Sequence, residues 1–319
     1  MQARAAYMLA LTVVSLFAPL EAQAPVIRVT LLGTGSPEPS IQRFGPATLV
    51  EAGDARFLFD AGRGASQRLW QLAIPLGQVD GVFLTHLHSD HVVGLPDVWL
   101  SGFQRTLFGR RASPLVVWGP SGTAAMVLAL RQAFAEDVRN RSASGRLPDS
   151  VTAAVGNDIQ QGLIYDRGGV RVTAFTVDHS YAPFVAYGYR LEFAGRSVVI
   201  SGDTRPSENL ARFAEGSDLL IHEVMAATAE NAASPALQRI IGSHTSPEEA
   251  ARIFQAAKPK LAVYTHVSLV AEPERRQALL ETIIPRTRAI YAGRVELGED
   301  LMTIAIWDSV SIQYRGRTP

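Results

Sequence analysis

Thr85-His86-Leu87-His88-Ser89-Asp90-His91 puts three imidazoles and a carboxylate on one short stretch, directly after the apolar run Val82-Phe83-Leu84. Imidazole nitrogen and carboxylate oxygen are the donors left to a divalent metal when thiolate is absent, and this chain has no Cys. On an extended segment His86 and His88, two apart, point the same way. Asp90 and His91 turn at the start of the next helix and can face a second ion. Three further donors follow predicted strands: His179 after Val170–Val177, Asp203 in Ser201-Gly202-Asp203-Thr204, and His266 after Leu261–Tyr264. Side chains from the ends of several strands are how α/β folds build sites. Six His or carboxylate donors plus one bridging carboxylate suit two metal ions. Such a pair lowers the pKa of bound water to about 7 and permits hydrolysis without a serine or cysteine nucleophile.

The elements that must hold these residues read as short apolar runs bounded by Gly, Pro and Asp. Strands are predicted at Val26–Leu32, Ala47–Val50, Arg56–Phe59, Val82–Leu84 and Leu115–Trp118, with helices at Ala65–Leu72 and Val92–Leu100. Ser121-Gly122-Thr123 caps a longer helix through about Arg139, and the polar stretch Arg139–Ser150 reads as a surface excursion. The second half repeats the rhythm, with strands at Val170–Val177, Ala186–Phe193, Ser197–Ile200, Leu219–His222, Leu261–Tyr264 and Leu301–Trp307. Helices are predicted at Ser207–Glu215, Ser246–Ala257 and Glu272–Ile284. The second of these opens Ser246-Pro247-Glu248-Glu249, with Pro at the first helical position and Glu at the third. Strands and helices alternate throughout, so the chain is of the α/β class. Gly33-Thr34-Gly35 lacks the third glycine and acidic partner of a dinucleotide loop and reads as a turn.

The 319 residues can bury a large core without disulfides, and 47% hydrophobic against 19% charged residues rules out wholesale disorder. Thirty Lys+Arg balance thirty Asp+Glu, which removes a global basic field. Residues 1–24 read as a secretory signal peptide: Arg4, an apolar stretch from Ala5 to Leu20, and Ala22-Gln23-Ala24 as the cleavage site. The expectation is one hydrolase domain over residues 25–319, periplasmic or secreted, with no membrane attachment after cleavage.

The motif Thr85–His91 resembles the HxHxDH signature of the metallo-β-lactamase fold superfamily. The resemblance narrows to the tRNase Z branch through Leu31-Leu32-Gly33-Thr34-Gly35-Ser36-Pro37, Phe59-Asp60-Ala61-Gly62, Gly202-Asp203-Thr204-Arg205-Pro206, Leu220-Ile221-His222-Glu223, Ser243-His244-Thr245-Ser246, Tyr264-Thr265-His266-Val267-Ser268 and Glu299-Asp300-Leu301-Met302. It implies an αββα sandwich of two mixed β-sheets flanked by helices. It also implies two Zn2+, with Mn2+ or Fe2+ as alternatives. One would be held by His86, His88 and His179, the other by Asp90, His91 and His266, with Asp203 bridging. Asp90 and His244 are the catalytic candidates, His244 as proton donor to the leaving group. Asp60 and His222 would support the ligands from behind, and a homodimer is a further implication.

Three departures argue against tRNA as substrate. Only 23 residues separate His179 from Asp203, too few for the long basic arm of many tRNase Z enzymes. The chain is neutral, and it reads as exported. Gly94–Gly102 and Gly119–Pro148 instead resemble secreted metal-dependent arylsulfatases. The expected activity is therefore an exported hydrolase of aryl sulfate or phosphodiester bonds by metal-hydroxide attack. Its substrate would be a small anionic ester, with no nucleic acid partner. Trp99, Phe103, Phe108 and Phe184 are candidates for an aryl-binding wall. A lactonase or β-lactamase on the same site, and a tRNase Z-like endonuclease, are the alternatives.

Overall fold

Period-two burial along the chain sorts it into strands with an inner and an outer face. A computed structural model describes residues 26–143, 147–179 and 184–314; the expected signal peptide lies outside the described residues. The first six strands are β1 (Ile27–Gly33), β2 (Ala47–Ala52), β3 (Ala55–Phe59), β4 (Gly81–Phe83), β5 (Leu115–Gly119) and β6 (Ala154–Asp158). Next come β7 (Gly162–Arg167), β8 (Val170–Val177), β9 (Ala186–Phe193), β10 (Arg196–Ile200), β11 (Leu219–Ala227), β12 (Leu261–Val270) and β13 (Val295–Leu297). The last two, β14 (Met302–Ile306) and β15 (Val310–Tyr314), return to the first sheet, where β14 pairs antiparallel with β1. The sheet orders are β15-β14-β1-β2-β3-β4-β5-β6 and β13-β12-β11-β10-β9-β8-β7. Both are mixed: β3 to β6 and β10 to β13 run parallel, and the other pairings are antiparallel.

The inner faces pack on each other through Ile27, Val29, Phe57, Phe59, Phe83, Tyr189 and Val198, all essentially inaccessible. Phe83 stacks on Phe59 at 5.2 Å and on Trp118 at 4.8 Å between ring centroids, a geometry aromatic rings favour. The buried Tyr189 hydroxyl donates to the Leu84 carbonyl at 2.6 Å, which offsets its desolvation. The outer face of the first sheet packs on the helices Ala65–Gln71, Leu95–Gly102 and Thr123–Ala133. That of the second packs on Glu208–Phe213, Pro247–Ala257 and Pro273–Arg288. This is the expected αββα sandwich. Among the described residues no helix is long and apolar enough to cross a membrane.

The Ser246 capping box forms as expected, Ser246 Oγ accepting from Glu249 N–H and Glu249 Oε2 accepting from Ser246 N–H. The helix expected from Ser121 to Arg139 breaks at Phe134 into Thr123–Ala133 and Ala135–Ser142. Its N-terminus is not capped by Ser121 or Thr123. Gly122 takes the left-handed backbone there (φ 102°), and the Asp158 carboxylate accepts Gly122 N–H and Ala124 N–H at 3.2 and 2.8 Å. Strands β11 and β12 run well past the expected ends at His222 and Tyr264, and β6, β7, β13 and β15 were not anticipated.

Candidate metal centre and its surroundings

The residues that follow β3, β4, β8 and β10 converge with the middle of β12 at one edge of the sandwich. After β4 the chain passes through Thr85 and His86 and turns into the short helix Ser89–Val92. His86, His88 and His179 bring ligand atoms within 4.8 Å of one another, as do Asp90, His91 and His266. Asp203 lies between the two groups: its Oδ2 is 3.2 Å from His266 Nε2, 3.3 Å from His91 Nε2, 3.7 Å from His179 Nε2 and 3.9 Å from His86 Nε2. Asp90 Oδ2 is 3.3 Å from His266 Nε2 and 3.4 Å from His91 Nε2. The structure thus brings together all seven residues singled out in the sequence.

The remaining ring nitrogens fix which atom of each His turns inward. His91 Nδ1 donates to Asp60 Oδ2 at 2.8 Å. The Thr85 hydroxyl donates to the same oxygen at 2.9 Å and accepts from His86 Nδ1 at 3.0 Å. Thr85 N–H donates to Asp60 Oδ1 at 2.8 Å. One buried carboxylate therefore orients two imidazoles, from a residue whose own backbone is left-handed (φ 61°). His179 Nδ1 donates to the Ser243 carbonyl at 3.0 Å. Each of these three rings turns Nε2 inward, whereas His88 turns Nδ1 inward, 2.9 Å from His86 Nε2 and 3.2 Å from His179 Nε2.

His266 reaches the centre through a β-bulge. The β11–β12 register pairs Glu223 with Thr265 and Val224 with Val267, leaving His266 as the extra residue, at φ 43°. Bulges re-aim side chains beside sites, and left-handed backbone in a non-glycine residue marks a conformation the surroundings must enforce.

This donor set fits metal ions. The buried His91 Nε2 and Asp203 Oδ1 have no hydrogen-bond partner, and lone pairs of four imidazoles face a common space. Burial, with His91 adding to it, holds the His86 imidazole well below its ordinary pKa, in the neutral form that ligates. Burial alone would raise the Asp203 carboxyl, but His266 and His91 hold it well below the carboxylate range.

Beside the centre stands a second pair, buried Glu223 and half-buried His244. Glu223 Oε1 accepts from His244 Nδ1 at 3.0 Å and from Thr204 N–H at 2.9 Å. Burial disfavours the charged imidazole, yet the Glu223 carboxylate outweighs it and pushes His244 up to about 9. The His244 ring stacks on His266 at 5.5 Å and meets His179 edge-on at 4.9 Å.

His222 requires correction as a supporting residue. It points to the other face of β11, where its ring packs edge-on against Phe254 of the helix Pro247–Ala257 and its Nδ1 donates to the Glu223 carbonyl. Strand alternation gives the inward position to its neighbour Glu223. The aryl wall also shrinks. Trp99 and Phe103 are buried between helix and sheet, and Phe108 packs on Trp70. Phe184 alone of the four flanks the centre, 5.2 Å from the His88 ring and 6.0 Å from that of His179.

Comparison with known proteins names this arrangement. The profile of a family described as a β-lactamase superfamily domain matches residues 55–267. Proteins named ribonuclease Z from Mycobacterium marinum and Mycolicibacterium paratuberculosis are 36% and 38% identical over 286 and 285 residues, covering 88% of this chain and 99% of each relative. The chain belongs to the metallo-β-lactamase fold superfamily, in its tRNase Z branch. Among solved structures, the metallo-β-lactamase-fold protein YhfI from Bacillus subtilis superposes with a TM-score of 0.68 at 19% identity, covering 90% of this chain and 99% of that one. The short form of human tRNase Z gives 0.62 at 23%, covering 88% and 99%.

These relatives overturn the expectation that nucleic acid plays no part. A net charge of zero is a whole-chain sum and leaves local fields undetermined. The short span between His179 and Asp203 bears on one long arm and on no other contact to RNA.

Proposed function

We propose that this branch member is a metal-dependent phosphodiesterase acting on RNA, of the ribonuclease Z type, with a tRNA precursor as its substrate class. What carries this reading over an arylsulfatase is the end-to-end identity with proteins named ribonuclease Z. His86, His88 and His179 would hold one ion and Asp90, His91 and His266 the other, with Asp203 shared. Two Zn2+ are the proposed occupants, and His/Asp donors also accept Mn2+ or Fe2+. When bound, such a pair supplies Lewis acidity toward the phosphoryl oxygens and activates water at neutral pH.

The protein's own groups do the rest. Glu223 takes the Nδ1–H of His244 and holds the ring as an imidazolium, which leaves the Nε2–H to protonate the departing ribose oxygen. Asp60 and Thr85 fix the tautomers of His86 and His91, and Phe184 offers an aromatic flank at the three-His side.

The test compares wild-type protein, loaded with two equivalents of zinc, on a precursor tRNA carrying a 3′ trailer, on bis-nitrophenyl phosphate and on nitrophenyl sulfate. Cleavage of the RNA at one position, with weak sulfate-ester turnover, is the expected result. Sulfate-ester turnover without RNA cleavage would return the arylsulfatase reading. Export, proposed from residues 1–24, is the rival to this substrate, since precursor tRNA requires a cytoplasmic enzyme; N-terminal sequencing and fractionation in the native host decide between them, and a cleaved, exported form would overturn the tRNA reading.

A further inference from the structure

The bulge that delivers His266 is anchored from outside its own sheet. The Thr34 carbonyl, just beyond β1, accepts the N–H of Val267 at 2.8 Å. Thr34 is fully buried and is held in turn by Asp300: its N–H and hydroxyl both donate to Asp300 Oδ1, at 3.0 and 2.9 Å. The other oxygen, Oδ2, accepts Phe44 N–H at 2.8 Å and the Arg68 guanidinium at 2.9 Å. Arg43 donates to Thr34 Oγ1 at 2.7 Å and to the Gly298 carbonyl at 2.6 Å, and Gly298 N–H donates to the Tyr264 carbonyl at 2.9 Å. Both flanks of the bulge, Tyr264 and Val267, are thereby tied to one polar knot whose anionic centre is Asp300.

The bulge needs such an anchor. A non-glycine residue in the left-handed region is strained and persists only where its surroundings over-determine it. Without the Thr34 carbonyl to take the Val267 N–H, the strand can relax toward regular pairing. A one-residue slip in register sends side chains to the opposite face, taking the imidazole away from Asp90 and Asp203.

We propose that Asp300 is a positioning residue for His266, acting through Thr34. This rests on the reading of His266 as a metal ligand. Asp300 touches neither substrate nor metal. Its effect falls on one of the two ion sites, because His86 and His179 on the other are oriented by Thr85 and Ser243 instead.

The experiment titrates metal-free protein with Co2+, following the visible ligand-field absorption, and measures Zn2+ stoichiometry by equilibrium dialysis. The proteins are wild type, His266→Ala, Asp300→Asn, Thr34→Val, Arg68→Ala and the double variant His266→Ala/Asp300→Asn. His266→Ala should weaken one of two equivalents. Asp300→Asn keeps the shape but loses acceptor capacity, and should weaken the same equivalent by about 10–100-fold, the range for groups that support a ligand from behind. The other equivalent should be unchanged, and the double variant should bind metal no worse than His266→Ala alone. Thr34→Val removes the two hydrogen bonds of the hydroxyl, to Asp300 and from Arg43, and keeps the carbonyl and the Thr34 N–H bond to Asp300; it should give a smaller shift in the same equivalent, and it decides the matter if Asp300→Asn does not fold. Arg68→Ala, which meets Asp300 only at Oδ2 and otherwise bonds Gln71 and stacks on Phe44, should lower Tm while both equivalents bind as in wild type. Unchanged affinities in Asp300→Asn and Thr34→Val, or equal weakening of both equivalents, would overturn the role of Asp300. Two unimpaired equivalents in His266→Ala would overturn the ligand reading beneath it.

Discussion

The His244–Glu223 pair makes a demand on leaving-group chemistry that can be worked out in advance. The ring is half-buried, and Glu223 carries its pKa from the ordinary 6.5 to about 9. That preference for the imidazolium is on the order of 3 kcal/mol. A proton held there matters in proportion to how badly the leaving oxygen needs it. A ribose alkoxide is strongly basic and needs the proton in the transition state, whereas nitrophenolate leaves without it. Loss of a positioned acid costs about 10²–10⁴-fold where proton transfer counts. His244→Ala should therefore slow RNA cleavage by that range and bis-nitrophenyl phosphate hydrolysis by less than about tenfold. Glu223→Gln keeps the hydrogen-bonding shape but removes the charge that outweighs burial, so the ring turns toward its neutral form and the loss on RNA should approach, and not exceed, that of His244→Ala. The double variant should be no slower than His244→Ala, because Glu223 acts through the ring. Single-turnover rates at saturating enzyme, with metal content measured on each preparation, separate chemistry from binding. Equal losses on both substrates with full metal occupancy would refute proton donation by His244.

Asp203→Ala, which deletes the one oxygen facing both three-residue groups, should abolish activity and reduce metal content while leaving the circular dichroism of the fold intact; full activity would end the two-ion reading. Chelation should remove activity, and two equivalents of Zn2+ or Mn2+ per chain should restore it, whereas restoration at one equivalent would contradict a paired site. Gly94→Ala is expected to weaken metal binding without any loss of a ligand, because a Cβ there would lie 2.2 Å from the Gly62 carbonyl and push apart the loops carrying Asp60 and Asp90; dialysis stoichiometry checks it. Asp158→Ala uncaps the helix Thr123–Ala133 and should cost about 1 kcal/mol, seen as a lower Tm in calorimetry with unchanged activity.

Donors were legible in the sequence wherever their signal is local. His86, His88, Asp90 and His91 share one loop, and His179 and Asp203 each follow an apolar run that could be read as a strand. His266 could be found the same way, but only by ending its strand too early, since the residue lies inside β12 at a bulge that leaves no mark on the side-chain pattern. The same truncation left Glu223 without an assigned face. With β11 ended at His222 there was no reason to apply the period-two rule one residue further, although that rule separates the two faces. The spacing of Leu95, Val98, Trp99 and Gly102 is the buried stripe of a helix, and it removes Trp99 from the substrate wall.

A different kind of information was beyond sequence altogether. Thr34, Ser243 and Gly298 act on the site through main-chain carbonyls, and a carbonyl has no residue type. Asp300 and Asp158 have residue types, but their partners lie 266 and 34 positions away. The one functional expectation that failed, the exclusion of nucleic acid, came from whole-chain quantities: a charge sum, an insertion length and a compartment. Ligand positions survive such averaging because each is a single side chain whose chemistry is fixed by its type. Substrate class depends on how a neutral total is distributed around the mouth of the site, which no whole-chain sum records.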